Sequence, residues 1–138
     1  MHLPAAQRDF AHRLIASGAV DLLQGHSSHH PLPIDVHRGR AVLHGCGDLI
    51  NDYEGIGAHG RWRADLGALY FADLDRASGV LLALRVVPLR RRRFRLIAAD
   101  EAGRTELLAL LNTPQRPPIA ARVEAAADGS WHLQWPRS

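Results

Sequence analysis

Apolar positions recur along this chain with two periods, and the switches between them mark its elements. In residues 5–17, Ala6, Phe10, Leu14 and Ser17 fall on one stripe at helical spacing, and Gly18 stands where a helix commonly ends. Val20 to Leu23 is a short apolar run of strand length. It leads into the polar segment Gly25-His26-Ser27-Ser28-His29-His30-Pro31. Ile34–His37 and Ala41–His44 alternate around Arg38-Gly39-Arg40, which predicts a hairpin. Gly45-Cys46-Gly47-Asp48 follows as a second glycine-bearing loop.

Leu66–Leu74, Val80–Val87 and Arg93–Ala98 read as three further strands, the first two joined by the turn Asp75-Arg76-Ala77-Ser78-Gly79. After an acidic first turn, Leu107, Leu108 and Leu111 keep helical spacing, so the pattern predicts a helix over Glu101–Leu111. Residues 113–118 are a Pro-rich loop. Ala120–Ala126 and Trp131–Trp135 form a last predicted hairpin about Asp128-Gly129. One helix, a strand, then mostly antiparallel strands with a second helix give an α+β class.

Composition narrows the function classes. The chain has 138 residues, 46% of them hydrophobic and 22% charged, values that fit one folded domain rather than a disordered one. No apolar run approaches the ~20 residues of a membrane span, and the start lacks a secretory pattern, so the expected location is cytoplasmic. A single cysteine, Cys46, excludes a disulfide framework and a cysteine-based zinc site. It reads as a buried small residue or as a thiol beside His44. The net charge of +3 rests on arginine alone, since the chain has no lysine. A modest net charge disfavours nucleic acid as the partner. Nucleotide-binding glycine motifs and a nucleophile elbow are absent.

Histidine says more than charge does. Five of the nine (His26, His29, His30, His37 and His44) fall between positions 26 and 44. Two imidazoles three residues apart on a loop after a strand can aim at one metal ion. The same segment also reads as a solvated polar loop. The run Arg90-Arg91-Arg92-Arg93 offers guanidinium forks to carboxylate or phosphate oxygens, or else protects a strand edge with solvated charge. Trp62, Trp131 and Trp135 read as packing residues.

The stretch from Gln24-Gly25-His26-Ser27-Ser28-His29-His30-Pro31 through Ile34–Arg40 to Gly45-Cys46-Gly47-Asp48-Leu49-Ile50-Asn51-Asp52-Tyr53-Glu54-Gly55-Ile56 resembles the carboxyl-terminal part of the CapA family. Asp65–Phe71 and the Val87–Leu96 stretch look similar too, so the likeness runs from about residue 8 to about residue 112. These are poly-gamma-glutamate (capsule) synthesis proteins, related to calcineurin-like metallophosphoesterases. The resemblance implies a partial metallophosphoesterase α/β sandwich with a mixed, mostly antiparallel sheet and two helices. Residues 1–112 would form the family portion, with 113–138 a Pro-rich loop and hairpin packed on it. It also implies that His26 and His29 are metal ligands, with Mn, Fe or Zn as the divalent ion. Asp48, Asn51 and Glu54 would contact substrate or orient a ligand imidazole, although for these three loop capping is an equal alternative, and His30, which has no family counterpart, reads as a residue behind the ligands or on the surface.

The family's Gly-Asp strand-loop, its Asn-His motif and its other histidine loop have no counterpart in this chain. Two histidines are too few for a catalytic metal. The expectation is therefore an incomplete centre, inactive alone and binding no metal unaided. It would be completed by a missing amino-terminal half or by self-association, and would act on an anionic polymer or a phosphorylated substrate. Two other readings stand beside it. One is a non-catalytic basic module binding an anionic polymer or nucleic acid through Arg90–Arg93. The other is a chain that associates through an exposed apolar sheet face.

Overall fold

The first helix, α1, spans Ala5–Ala16 and stops at Gly18, whose φ of +75° favours glycine and whose N–H donates to the Ile15 carbonyl at 3.1 Å. These features come from a computed structural model, which describes residues 2–50 and 63–137. The helix is where its pattern predicts, but it buries another face. Arg8, Ala11 and Ile15 point inward, while Phe10, on the expected stripe, is 56% exposed. An arginine breaks the apolar stripe that periodicity seeks. Arg8 is nevertheless buried, because its guanidinium meets Asp35 and the carbonyls of Pro117 and Pro118. Ala11 and Ile15 pack with Val42 in a small cluster flanked by Val20 and Leu23.

Three short strands follow: β1 (Leu22–Gln24), β2 (Ile34–His37) and β3 (Arg40–Leu43), in the order β1-β3-β2. β1 runs parallel to β3, with Leu23 opposite Val42, and β2 runs antiparallel to it, with Asp35 opposite Val42. Arg38 and Gly39 close the β2–β3 hairpin with φ of 51° and 73°, the left-handed pair of a two-residue turn.

The second sheet is built from β4 (Leu66–Leu74), β5 (Leu81–Arg92), β6 (Arg95–Ala98), β7 (Arg122–Ala125) and β8 (Trp131–Gln134). Its order is β4-β5-β8-β7, with β6 also paired to β5 and every pairing antiparallel. β5 is longer than its hydrophobic pattern predicts. It continues through Pro88 and takes in Arg90–Arg92. Proline is tolerated there because of where its missing donor faces. Ala99 N–H donates to the Pro88 carbonyl, so the imide nitrogen faces the same side. On that side β8 has ended at Trp131↔Val86, and β6 begins at Ala98↔Leu89.

Helix α2 (Glu101–Leu111) starts at Asp100, whose side chain accepts from Gly103 N–H at 2.8 Å. It lies close on β4, since a Cβ on Gly103 would reach Leu66 Cδ2 at 2.8 Å. Leu66, Ala68, Leu84, Val86, Leu107, Leu111, Val123, Trp131 and Leu133 form the core with Ile34, Ala41 and Leu43 of the first sheet. Asn112 anchors the terminal hairpin by donating to the Val123 carbonyl and accepting from its N–H, both at 2.9 Å. The described residues thus form an α+β fold of two helices, a small mixed sheet and a larger antiparallel one.

Candidate functional site

The loop after β1 and the loop after β3 are pressed together by glycines. Gly25 N–H donates to the Leu43 carbonyl at 2.7 Å, and a Cβ at Gly25 would collide with the His44 carbonyl oxygen. A Cβ at Gly45 would strike Ser28 Oγ, and one at Gly47 (φ +73°) would come within 2.8 Å of Pro31 Cδ. Leu32 N–H donates to the Gly45 carbonyl at 2.9 Å, and Pro31 bridges to Cys46. Ser27 and His29 hold left-handed φ values of 70° and 56°. Such backbones are costly for residues with a Cβ, and they cluster at functional sites.

The structure brings His29 and Asp48 together. His29 Nδ1 lies 3.0 Å from Asp48 Oδ2, and because a carboxylate only accepts, Nδ1 is the donor. Arg91 of β5 adds a cation, with Nη1 3.2 Å from the same oxygen and Nη2 donating to the Ala64 carbonyl. Partial burial disfavours the charged form of Asp48. The hydrogen bonds from His29 and Arg91 outweigh it and hold the carboxyl below its usual range. His26, exposed, shares a 2.9 Å hydrogen bond between Nδ1 and Ser27 Oγ. His30 is half-buried and its pKa is lowered, first by desolvation and then by nearby charge including His29. Its carbonyl accepts from Ser28 Oγ at 2.7 Å. Asn51, Glu54 and Trp62 lie outside the described residues.

Arg91, one of the four arginines read as an anion site, is the member whose place beside Asp48 periodicity did not foresee. The signal was strand alternation, which sends neighbouring arginines to opposite faces. Arg90, on the α2 side, donates Nε to Asp65 and Nη1 to Asp100 at 3.2 Å. Arg63 grips the same two carboxylates. The four-arginine run is therefore divided, with its first two members held by internal acids.

Burial pushes the Cys46 thiol up to about 11, which leaves it a poor nucleophile. A second polar cluster lies under α1. Arg8 Nε and His12 Nε2 meet Asp35 Oδ2 at 3.2 and 2.8 Å, and His37 stacks on His12 with centroids 4.0 Å apart. His44 is 1% exposed, and neither ring nitrogen has a hydrogen-bond partner among the described residues. Desolvation first, with Arg8 and His12 adding to it against the pull of Asp35, drives its pKa down to about 4.

Among the described residues no group of three or more His, Cys, Asp or Glu side chains could hold a metal ion. The donors described here are too few to make a catalytic metal centre by themselves. No helix among them is long and apolar enough to cross a membrane.

Residues 2–53, which carry α1 and both loops, match the family described as bacterial capsule synthesis protein PGA_cap. Over this stretch the chain is similar to that capsule synthesis family, in keeping with the CapA likeness of its loop motifs. It is 50% identical over 107 residues to probable polyglutamine synthesis accessory proteins from two strains of Mycobacterium tuberculosis. The alignment covers 78% of this chain and 27% of each relative, so the chain spans about a quarter of the length of the curated relatives it matches.

Proposed function

We propose that this chain takes part in the biosynthesis of capsule poly-gamma-glutamate. In this reading its Gly25–His30 loop is the histidine-bearing part of a metal-dependent, phosphoesterase-like centre. His26 and His29 are the ligands, and the remaining donors come from outside the described residues. The observation that carries the reading is the Arg91–Asp48–His29 chain. A carboxylate on Nδ1 selects the tautomer whose lone pair is on Nε2, and metal-bound histidines are commonly oriented this way. The match over residues 2–53 adds support, since it takes in both loops. With so few donors among its described residues, the chain is inactive alone.

The test is a titration of the protein with Mn²⁺ followed by NMR of its nine histidine side chains. The His26 and His29 signals broaden before all others, and Asp48→Asn weakens that effect by about 10–100-fold. Hydrolysis of a phosphodiester reporter stays at background. Broadening without preference for His26 and His29 overturns the ligand assignment. Stoichiometric metal with turnover that His29→Ala abolishes overturns the incompleteness.

A further inference from the structure

The two arginines left over from the divided run sit on a hairpin tip that carries several unrelieved costs. β5 ends at Arg92 and β6 begins at Arg95, and these two residues are directly opposite each other. Like charges facing across a strand pair repel. The two-residue loop between them, Arg93 and Phe94, has φ of 48° and 60°. Such a turn needs left-handed backbone at both positions and strongly prefers Asn-Gly. Here it holds two of the bulkier side chains. Phe94 is 61% exposed, and Arg92, Arg93 and Arg95 are exposed as well. Among the described residues no carboxylate pairs with these three guanidiniums, while Arg90 and Arg91 next to them are paired.

We infer that the Arg92–Arg95 tip is a clamp for an anionic polymer of carboxylates, with the three guanidiniums as its ion contacts and Phe94 as its apolar floor. A bound carboxylate between Arg92 and Arg95 turns their repulsion into a shared attraction. Planar forks suit carboxylate oxygens on successive residues of a chain. A polymer of nucleotides is the poorer fit, because a single exposed ring offers one stacking platform where such polymers use several. The existence of an anion site follows from the tip itself. The choice of carboxylate over phosphate rests on the capsule reading above.

Fluorescence anisotropy of a labelled glutamate decamer tests the clamp. The triple variant Arg92→Gln/Arg93→Gln/Arg95→Gln weakens binding by about tenfold or more. Arg13→Gln/Arg76→Gln, which removes charge at two exposed positions elsewhere, leaves it within about twofold. Arg93→Asn/Phe94→Gly gives the loop its preferred residues, so this variant melts higher and binds more weakly. Binding unchanged in the triple variant, or reduced as much by the remote pair, overturns the clamp. So does a single-stranded DNA decamer that binds more tightly than the glutamate decamer with the same arginine dependence. The tip variants leave the Mn²⁺ response of His26 and His29 unchanged. Loss of that response with glutamate binding intact therefore removes the metal reading alone, and the converse removes the clamp alone.

Discussion

Protonating His44 should unlock the first sheet from its end. The ring is 1% exposed at the junction of β3 with the Gly45–Asp48 loop, without a partner for either nitrogen among the described residues. Burial lowers its pKa from 6.5 to about 4. In the unfolded chain the imidazole takes up a proton near pH 6.5, whereas in the folded chain it resists until about pH 4. Between these values the unfolded state binds more protons, so stability falls as pH falls. The gap corresponds to about 3 kcal/mol, fully expressed by about pH 4. His44→Leu removes both the titration and two unpaired buried nitrogens, and at pH 7 it should be neutral to stabilising. Urea unfolding followed by the fluorescence of buried Trp131, at steps from pH 7.5 to 4, reads both curves. The stability difference between variant and wild type should grow by about 3 kcal/mol toward acid. A residual slope in the variant is expected, since burial also lowers His30 and His37. Parallel curves for the two proteins would refute the assignment of the acid sensitivity to His44.

Other variants probe separate joints. Arg8→Met leaves Asp35 buried without its guanidinium and should cost about 3–5 kcal/mol by urea titration; a loss under 1 kcal/mol contradicts the buried pair. Leu107→Ala, at a residue with 0% exposure, should cost about 2–5 kcal/mol in the same assay. Gly25→Ala forces β1 away from the His44 carbonyl, so it should destabilise the protein by about 1–3 kcal/mol and shift the His29 resonances. An unchanged melting temperature and spectrum would show that the two loops are not in close approach.

Most elements could be read from the sequence because local chemistry announces them. Asp75 organises its own turn, accepting from Ala77 N, Ser78 N and Ser78 Oγ, and that arrangement needs no distant partner. α2 has both its cap and its buried leucines in one short segment. The misreadings share one cause, a partner far away in sequence. The stripe through Ala6, Phe10 and Leu14 missed the inward face of α1, because Asp35 and the carbonyls of 117 and 118 that hold Arg8 are invisible from the helix alone. β5 looked finished at Val87 because proline and arginine are poor strand formers in isolation, yet β4 and β6 pair with the whole segment. At the site, His29 and Asp48 were both named from motif likeness. The arginine that holds Asp48 arrives from 43 positions further along, by a strand alternation that only the sheet register reveals.

The single strand from Leu81 to Arg92 carries core leucines, the cation behind Asp48 and the hairpin tip on one continuous ruler. Inserting or deleting one residue between Arg85 and Arg90 would exchange the faces of everything downstream, swinging Arg91 toward α2 and Arg90 toward the histidine loop. Length changes should therefore be selected against within this strand, even where every individual side chain is replaceable.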